Sequence, residues 1–399
     1  MAEFGVDRGE NGSQMEPLLI ANGSPSRDRL QDLALELVAH SAHFRGSLPK
    51  QFEHSLADLV RSMNCYYSNL IEGHDTHPIE IERALKNDYS TDRQKRNLQL
   101  EAKAHIAVQQ WIDQDGLTQS ATRCDSLQEI HRRFCECLPE DLLWVEIPDS
   151  EVRLPLVPGE LRQRDVRVGG HIAISPGAVP RFLQRFEDRY SGLGKTESLL
   201  AAAAAHHRLL WIHPFLDGNG RVARLMSYAL LREVLDTGGV WSISRGLARS
   251  EGEYKRQLAA CDLPRRNDLD GRGHLSEETL VSFTEFFLKT CIDQVKFMET
   301  LVAPEKLRHR ILSWAQEEIR AARLAPQSAQ ILERILYQGE LPRDEVAPMF
   351  GVTPRHARRY LEPLTEQGIL TSENLRSPFR LTFPAKLAAH WMPGLFPAA

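Results

Sequence analysis

His213-Pro214-Phe215-Leu216-Asp217-Gly218-Asn219-Gly220-Arg221-Val222-Ala223-Arg224 is the stretch on which the reading of this chain turns. An apolar segment, Ser198 to Ile212, leads into it with the pattern of a buried helix. Pro214 pushes the residue before it out of helical geometry, so His213 is expected on a loop held by that helix. Gly218, Asn219 and Gly220 can take positive φ, which lets successive N–H groups converge on an anion. A helix predicted to begin at Arg221 adds its free N–H groups and the positive end of its dipole. On its first turn Arg221 and Arg224 flank Val222 and Ala223 and share a face that leans back toward the anion. Such a stretch reads as a phosphate cradle at a helix start, gripped by two guanidinium forks.

Asp217, immediately before the cradle, is placed to hold a Mg²⁺ that bridges phosphate oxygens. A neutral His213 imidazole, with an ordinary pKa of about 6.5, can accept a proton from an attacking hydroxyl, a contribution on the order of 10²- to 10⁴-fold. Taken singly, Asp-Gly is a turn, a loop histidine is structural and helix arginines solvate a face. Together, base, metal ligand, cradle and clamp make one phosphoryl-centred site.

The rest of the chain bounds the setting. With 399 residues it is long enough for two or three domains, and a formal net charge of −5 gives no electrostatic ground for a general nucleic-acid or membrane-surface binder. Six scattered cysteines without a C-x-x-C pair point to reduced thiols, and with no apolar run of spanning length a soluble, cytoplasmic protein is expected. Residues 1–28 read as a flexible arm. Apolar residues at i, i+3 and i+4 predict a helical N-terminal domain over 29–113. A catalytic core over 114–300 follows, then a linker helix over 301–326 and a module over 327–399. Within the core, alternation from Asp165 to Ile174 around Gly169-Gly170 predicts a β-hairpin. In the last module, Arg343 to Phe350, a turn at Gly351 and Pro354 to Gln367 behind the Thr353 cap predict a helix-turn-helix with wing strands after it. The expected class is mainly α, with one small hairpin and a C-terminal winged-helix-like domain.

The run from His213 to Arg224 resembles the signature of the Fic family, H-x-F-x-[DE]-G-N-G-R-x-x-R, at every specified position. The resemblance implies a Fic-type helical core that transfers AMP from Mg–ATP to a Tyr, Thr or Ser hydroxyl of a protein. It makes His213 the base, Asp217 the Mg²⁺ ligand and Gly218 to Arg224 the nucleotide-binding segment. The hairpin, through Val166, Val168, His171 and Ile172, becomes a flap that registers the target by strand addition. Tyr254 is a candidate for the nucleoside side of the site, against the plainer reading of a core tyrosine. Ser68-Asn69-Leu70-Ile71-Glu72-Gly73 is similar to the family's inhibitory motif, [ST]-x-x-x-E-[GN]. Gly73 reads as the residue just past a helix end, which puts the Glu72 carboxylate where the dipole disfavours it, and Arg224 matches the family's partner for it. Self-modification is expected, removal of AMP stays open, and so does a homodimer. The target protein is not readable.

Rival readings are a metal hydrolase built on His206, His207, His213 and Asp217, and transfer of another nucleotide or of phosphate by the same site. A third is a DNA-binding regulator built on the C-terminal module, where Arg355, Arg358 and Arg359 cluster with the acids Glu362 and Glu366 close by, so that only modest phosphate affinity is expected and a protein-docking or target-recruiting role fits this module at least as well. His206 and His207 are adjacent on a helix and point in different directions, so no closed ligand set emerges for the first.

Overall fold

A computed structural model describes residues 5–48, 50–146, 152–372, 374 and 376–397. It is mostly helical and divides by internal contacts into two units. The first comprises Met1–Ala42, Asn64–Thr237 and Ser242–Gln294; the second comprises His43–Met63, Gly238–Trp241 and Val295–Ala399. Three of the boundaries, at 42/43, 63/64 and 294/295, fall inside helices, and the other two fall in the segment between Leu235 and Ser244.

Eleven helices come first: α1 (Arg27–Ser47), α2 (Lys50–Ile71), α3 (Pro78–Leu85), α4 (Arg93–Asp113), α5 (Cys124–Glu136), α6 (Val179–Tyr190), α7 (Lys195–Ile212), α8 (Asn219–Leu235), α9 (Ser244–Arg249), α10 (Glu251–Cys261) and α11 (Glu277–Val302). In the first unit, α7 is buried on nearly every side from Ser198 to Leu209. A helix apolar all round belongs at the centre of a core, and its run Ala201 to Ala205 lets α8 pack close against it. The short antiparallel pairs β1 (Trp144–Glu146) with β2 (Arg153–Pro155), and β3 (Arg167–Val168) with β4 (His171–Ile172), complete this unit. The second pair turns at Gly169-Gly170 with Val168 opposite His171, and Val166 lies just outside it.

Residues 5–26, read as part of a flexible arm, lie against the first unit. Met15, Leu18 and Ile20 are buried, the Tyr190 hydroxyl donates to the Leu18 carbonyl at 2.7 Å, and Arg208 donates to the Pro17 carbonyl at 3.0 Å. The apolar run around Leu18, too short for a signal segment, is long enough to fill a groove.

In the second unit, α12 (Pro304–Arg320) and α13 (Gln327–Gln338) pack together. Then come β5 (Glu340–Leu341), α14 (Val346–Phe350), α15 (Pro354–Glu366), β6 (Leu370–Thr371), β7 (Phe379–Leu381) and α16 (Ala388–Trp391). The sheet order is β5-β7-β6, all antiparallel. α14 is shorter than expected because residues from Pro342 first form a turn, with the Glu345 N–H on the Pro342 carbonyl. The segment expected as a linker helix is core: Trp314 of α12 packs edge-on against Trp391, ring centroids 5.2 Å apart. Among the described residues no helix is long and apolar enough to cross a membrane.

Candidate active site

His213 ends α7 in the left-handed region, φ 52°, its N–H on the Leu209 carbonyl. The loop beyond it is closed by Asn219, whose buried side chain accepts from the Phe215 N–H and donates to the Phe215 carbonyl, both at 2.9 Å. That ring of two bonds starts α8 at Asn219, earlier than the Arg221 expected. Of the three cradle residues only Gly218 has positive φ, 80°; Asn219 and Gly220 are helical. The cradle is therefore the plain N-terminus of α8. Its glycine at 220 matters for approach: a Cβ there would lie 2.3 Å from a Glu72 carboxylate oxygen.

Two residues outside the motif hold this loop. His131 of α5 stacks on Phe215 at 4.0 Å, accepts the Gly159 N–H on Nδ1 at 2.9 Å and faces the Asp217 carbonyl through Nε2 at 3.2 Å. Burial pushes its pKa down to about 4. Arg162 is buried, and its guanidinium donates to the carbonyls of His213 (2.7 Å), Arg164 (2.8 Å) and Ile174 (2.6 Å). It ties the His213 loop to the strand leaving the hairpin. The only sequence signal for His131 was a histidine among Leu127, Ile130 and Phe134 on the apolar face of a charged helix. For Arg162 there was none.

His213 lines a cavity of about 1020 Å³ with Arg224, Gly220, Glu72, Tyr254 and the hairpin residues Val168 to Ile172. Burial, helped by the nearby Arg162 and His171 and opposed by the Leu210 carbonyl, pushes the His213 pKa down to about 4. The imidazole is thus neutral at pH 7. With Nδ1 facing the Leu210 carbonyl at 3.3 Å, a proton on that atom leaves Nε2 as the accepting nitrogen.

Arg224 is buried and engaged on one side: its Nε donates to Ser68 Oγ at 2.8 Å and its Nη2 to Glu72 Oε1 at 2.5 Å. Burial works to raise the Glu72 pKa, but the Arg224 charge holds it below the ordinary carboxylate range. Glu72 caps α2, and Gly73 follows at φ 83° with its N–H on the Leu70 carbonyl and the His74 N–H on the Asn69 carbonyl, a Schellman closure.

Arg221 does not line the cavity. It lies over the Phe134 ring at 5.0 Å and donates to Glu101 Oε2 at 2.8 Å, where His74 also bonds at 2.8 Å. The structure thus brings one arginine of the expected pair, not two, to the cavity wall. Glu101, just over two turns into α4, carried no motif. Val222 and Ala223 are buried in α8. Tyr254 reaches the cavity wall, but its hydroxyl bonds His206 Nε2 at 2.7 Å. His206 turns to Ser227 and Tyr254, whereas His207 turns to Asp262 at 3.0 Å, which removes the histidine-rich metal centre.

The Asp217 side chain is exposed at the loop ahead of Gly218. Among the described residues no group of three or more His, Cys, Asp or Glu side chains is arranged to hold a metal. A lone carboxylate suits a Mg²⁺ that takes its other ligands from phosphates and water.

The Fic/DOC family model matches residues 122–231. A protein adenylyltransferase Fic from Drosophila willistoni is 44% identical over 81 residues, which are 19% of this chain and 16% of that protein. The chain therefore spans 16% of the length of that curated relative. A Fic family protein from Desulfovibrio desulfuricans G20 shares the fold with a TM-score of 0.50 at 17% identity, over 91% of this chain and 98% of that one. Fic-1 from C. elegans does so with a TM-score of 0.51 at 16% identity, over 68% and 72%.

Proposed function

We propose, from the Fic domain that this chain carries over residues 122–231, that it is a protein adenylyltransferase. The reading rests above all on one observation: a neutral, half-buried His213 and the N-terminus of α8 with Arg224 line the same cavity beside an exposed hairpin. The target's hydroxyl oxygen attacks the α-phosphorus of ATP, the bond to the β-phosphate breaks, pyrophosphate leaves, and the hydroxyl proton passes to His213 Nε2. Mg²⁺, held through Asp217, neutralises phosphate charge when bound. The free N–H groups at the start of α8 cradle phosphate oxygens, and Arg224 fixes the terminal phosphate. Val168 and Ile172, 47% and 69% exposed, leave an open strand edge on which a Tyr, Thr or Ser segment of the target, or of this chain itself, pairs. His171 pins that flap through Nε2 to the Trp211 carbonyl at 2.8 Å.

The same geometry supports autoinhibition. Glu72 occupies the guanidinium that the nucleotide needs and sits against Gly220, where a phosphate would lie. An anion in an anion site excludes the other anion. Removal of AMP by water, or transfer of a different nucleotide, would use the same residues.

Incubating the Glu72→Gly variant with Mg–ATP and a cell lysate, followed by mass spectrometry, tests the reading. AMP adducts on hydroxyl side chains are expected, and their dependence on His213 assigns them to this site. Adducts only of another nucleotide, or none, would overturn the reading.

A further inference from the structure

The second unit carries a charged surface that adenylyl transfer does not use. α15 buries Ala357, Tyr360, Leu361 and Leu364 and turns Arg355, Arg358 and Arg359 outward at i, i+3 and i+4. None of these three arginines has an ion pair or hydrogen bond among the described residues. Their neighbours in the same unit are engaged: Arg308 with Glu333, Arg323 with Glu318, Arg380 with Glu340, and Arg343 over the Phe379 ring. Three free guanidinium groups on one helix face are an unsatisfied demand for anions.

The order of charge along this face is also informative. Arginines occupy the first two turns, and the exposed acids Glu362 and Glu366 come after them. The helix dipole favours the reverse order by about 0.3–1 kcal/mol per charge. A polyanion laid along the first two turns would offset that cost. The element is mounted to meet one: α14, a left-handed Gly351 at φ 63° and the Thr353 cap present the N-terminal half of α15 outward. Arg376, between β6 and β7, adds a further exposed cation. In helix-turn-helix docking the second helix enters the major groove with its N-terminal residues on base edges, so here the cations enter and the acids stay outside. An acidic protein surface would accept arginines anywhere on the face and gives no reason for this order.

We propose that α14, α15 and Arg376 form a winged-helix-like surface for duplex DNA, with Arg355, Arg358 and Arg359 against phosphates and base edges. The surface is independent of the adenylyltransferase reading.

Fluorescence anisotropy of a labelled mixed-sequence duplex, several helical turns long, with the full chain across a salt series tests it. Binding that weakens steeply with salt is expected. Replacing all three arginines by alanine should weaken it by about tenfold or more and reduce the log–log salt slope by about 2 to 3; each single replacement should reduce it by about 1. Thermal melting of the variants checks that the unit still folds, and the single variants carry the test if the triple one does not. No salt-dependent binding by the wild-type chain, or an unchanged slope in the folded variants, overturns the proposal and leaves the face to a protein partner.

Discussion

His213 shows how burial sets a catalytic group. Removing the imidazole from water disfavours its charged form, and the nearby Arg162 charge adds to that, so it stays neutral well below the ordinary histidine range. Two outcomes follow from that. His213→Ala is expected to lose nearly all transfer while ATP still binds, because the start of α8 and Asp217 remain; wild-type adduct yield would remove His213 from the chemistry. The pH profile of transfer by the Glu72→Gly variant should stay flat through pH 6.5, with its acid limb near the depressed value of about 4. A limb centred on about 6.5 would mean that the side chain is solvated in the working enzyme.

Two elements act as units around that residue. The end of α2 presents Glu72 at a C-cap, where the dipole gives the carboxylate no help, so its partner Arg224 carries the largest share of the compensation, with Arg221 and His74 adding to it. Glu72→Gly is expected to raise AMP transfer and self-labelling by freeing Arg224 to position the phosphates. Arg224→Ala should not be rescued by it, and equal labelling rates at saturating Mg–ATP would reduce the segment from Ser68 to Gly73 to an ordinary capped helix end. The loop between α7 and α8 depends on Arg162 in the same way. Its burial pulls its pKa down to about 10, a cost offset by the carbonyls that it bridges. Arg162→Met leaves those carbonyls without a donor, so a loss on the order of 2–4 kcal/mol is expected in denaturant melts. A drop in kcat larger than the change in KM for ATP would separate positioning of His213 from mere support of the fold.

At the scale of the molecule, four buried histidines and the half-buried His213 give the first unit an acid limit. His105, His131, His206, His207 and His213 all have pKa values held between about 3 and about 4 by burial. Unfolded, each binds a proton near pH 6.5; folded, none does until far lower pH. The unfolded chain therefore binds more protons between these limits, and stability is full above about pH 6.5 and lost as pH falls toward 4. Melting temperatures measured from pH 7.5 to 5 should fall steadily, and a flat series would show that these histidines are solvated or protonated in the fold. Ser55 on α2 donates to the Leu381 carbonyl at 2.7 Å, so a helix read as N-terminal belongs in part to the unit of the C-terminal strands.

The sequence by itself determined the loop at His213, the helix that carries Arg224, the Gly-Gly hairpin, the cap at Thr353 and the helix end at Gly73. Each follows from local rules: proline geometry, glycine φ, capping and apolar period act over a few neighbours. The mainly α class follows from the same periods. Tertiary structure decided what those rules do not reach. Arg221 and Arg224 are equivalent on a helix turn, yet Glu101 and the Phe134 ring draw one away from the cavity while Ser68 and Glu72 hold the other on its wall. Arg162 and His131 acquire their roles from partners dozens of residues away, and the arm at Met15 to Ile20 from a groove formed elsewhere in the chain. Local pattern fixes which way a side chain can point; only packing fixes what it meets there, because a contact between distant segments leaves no period in the chain.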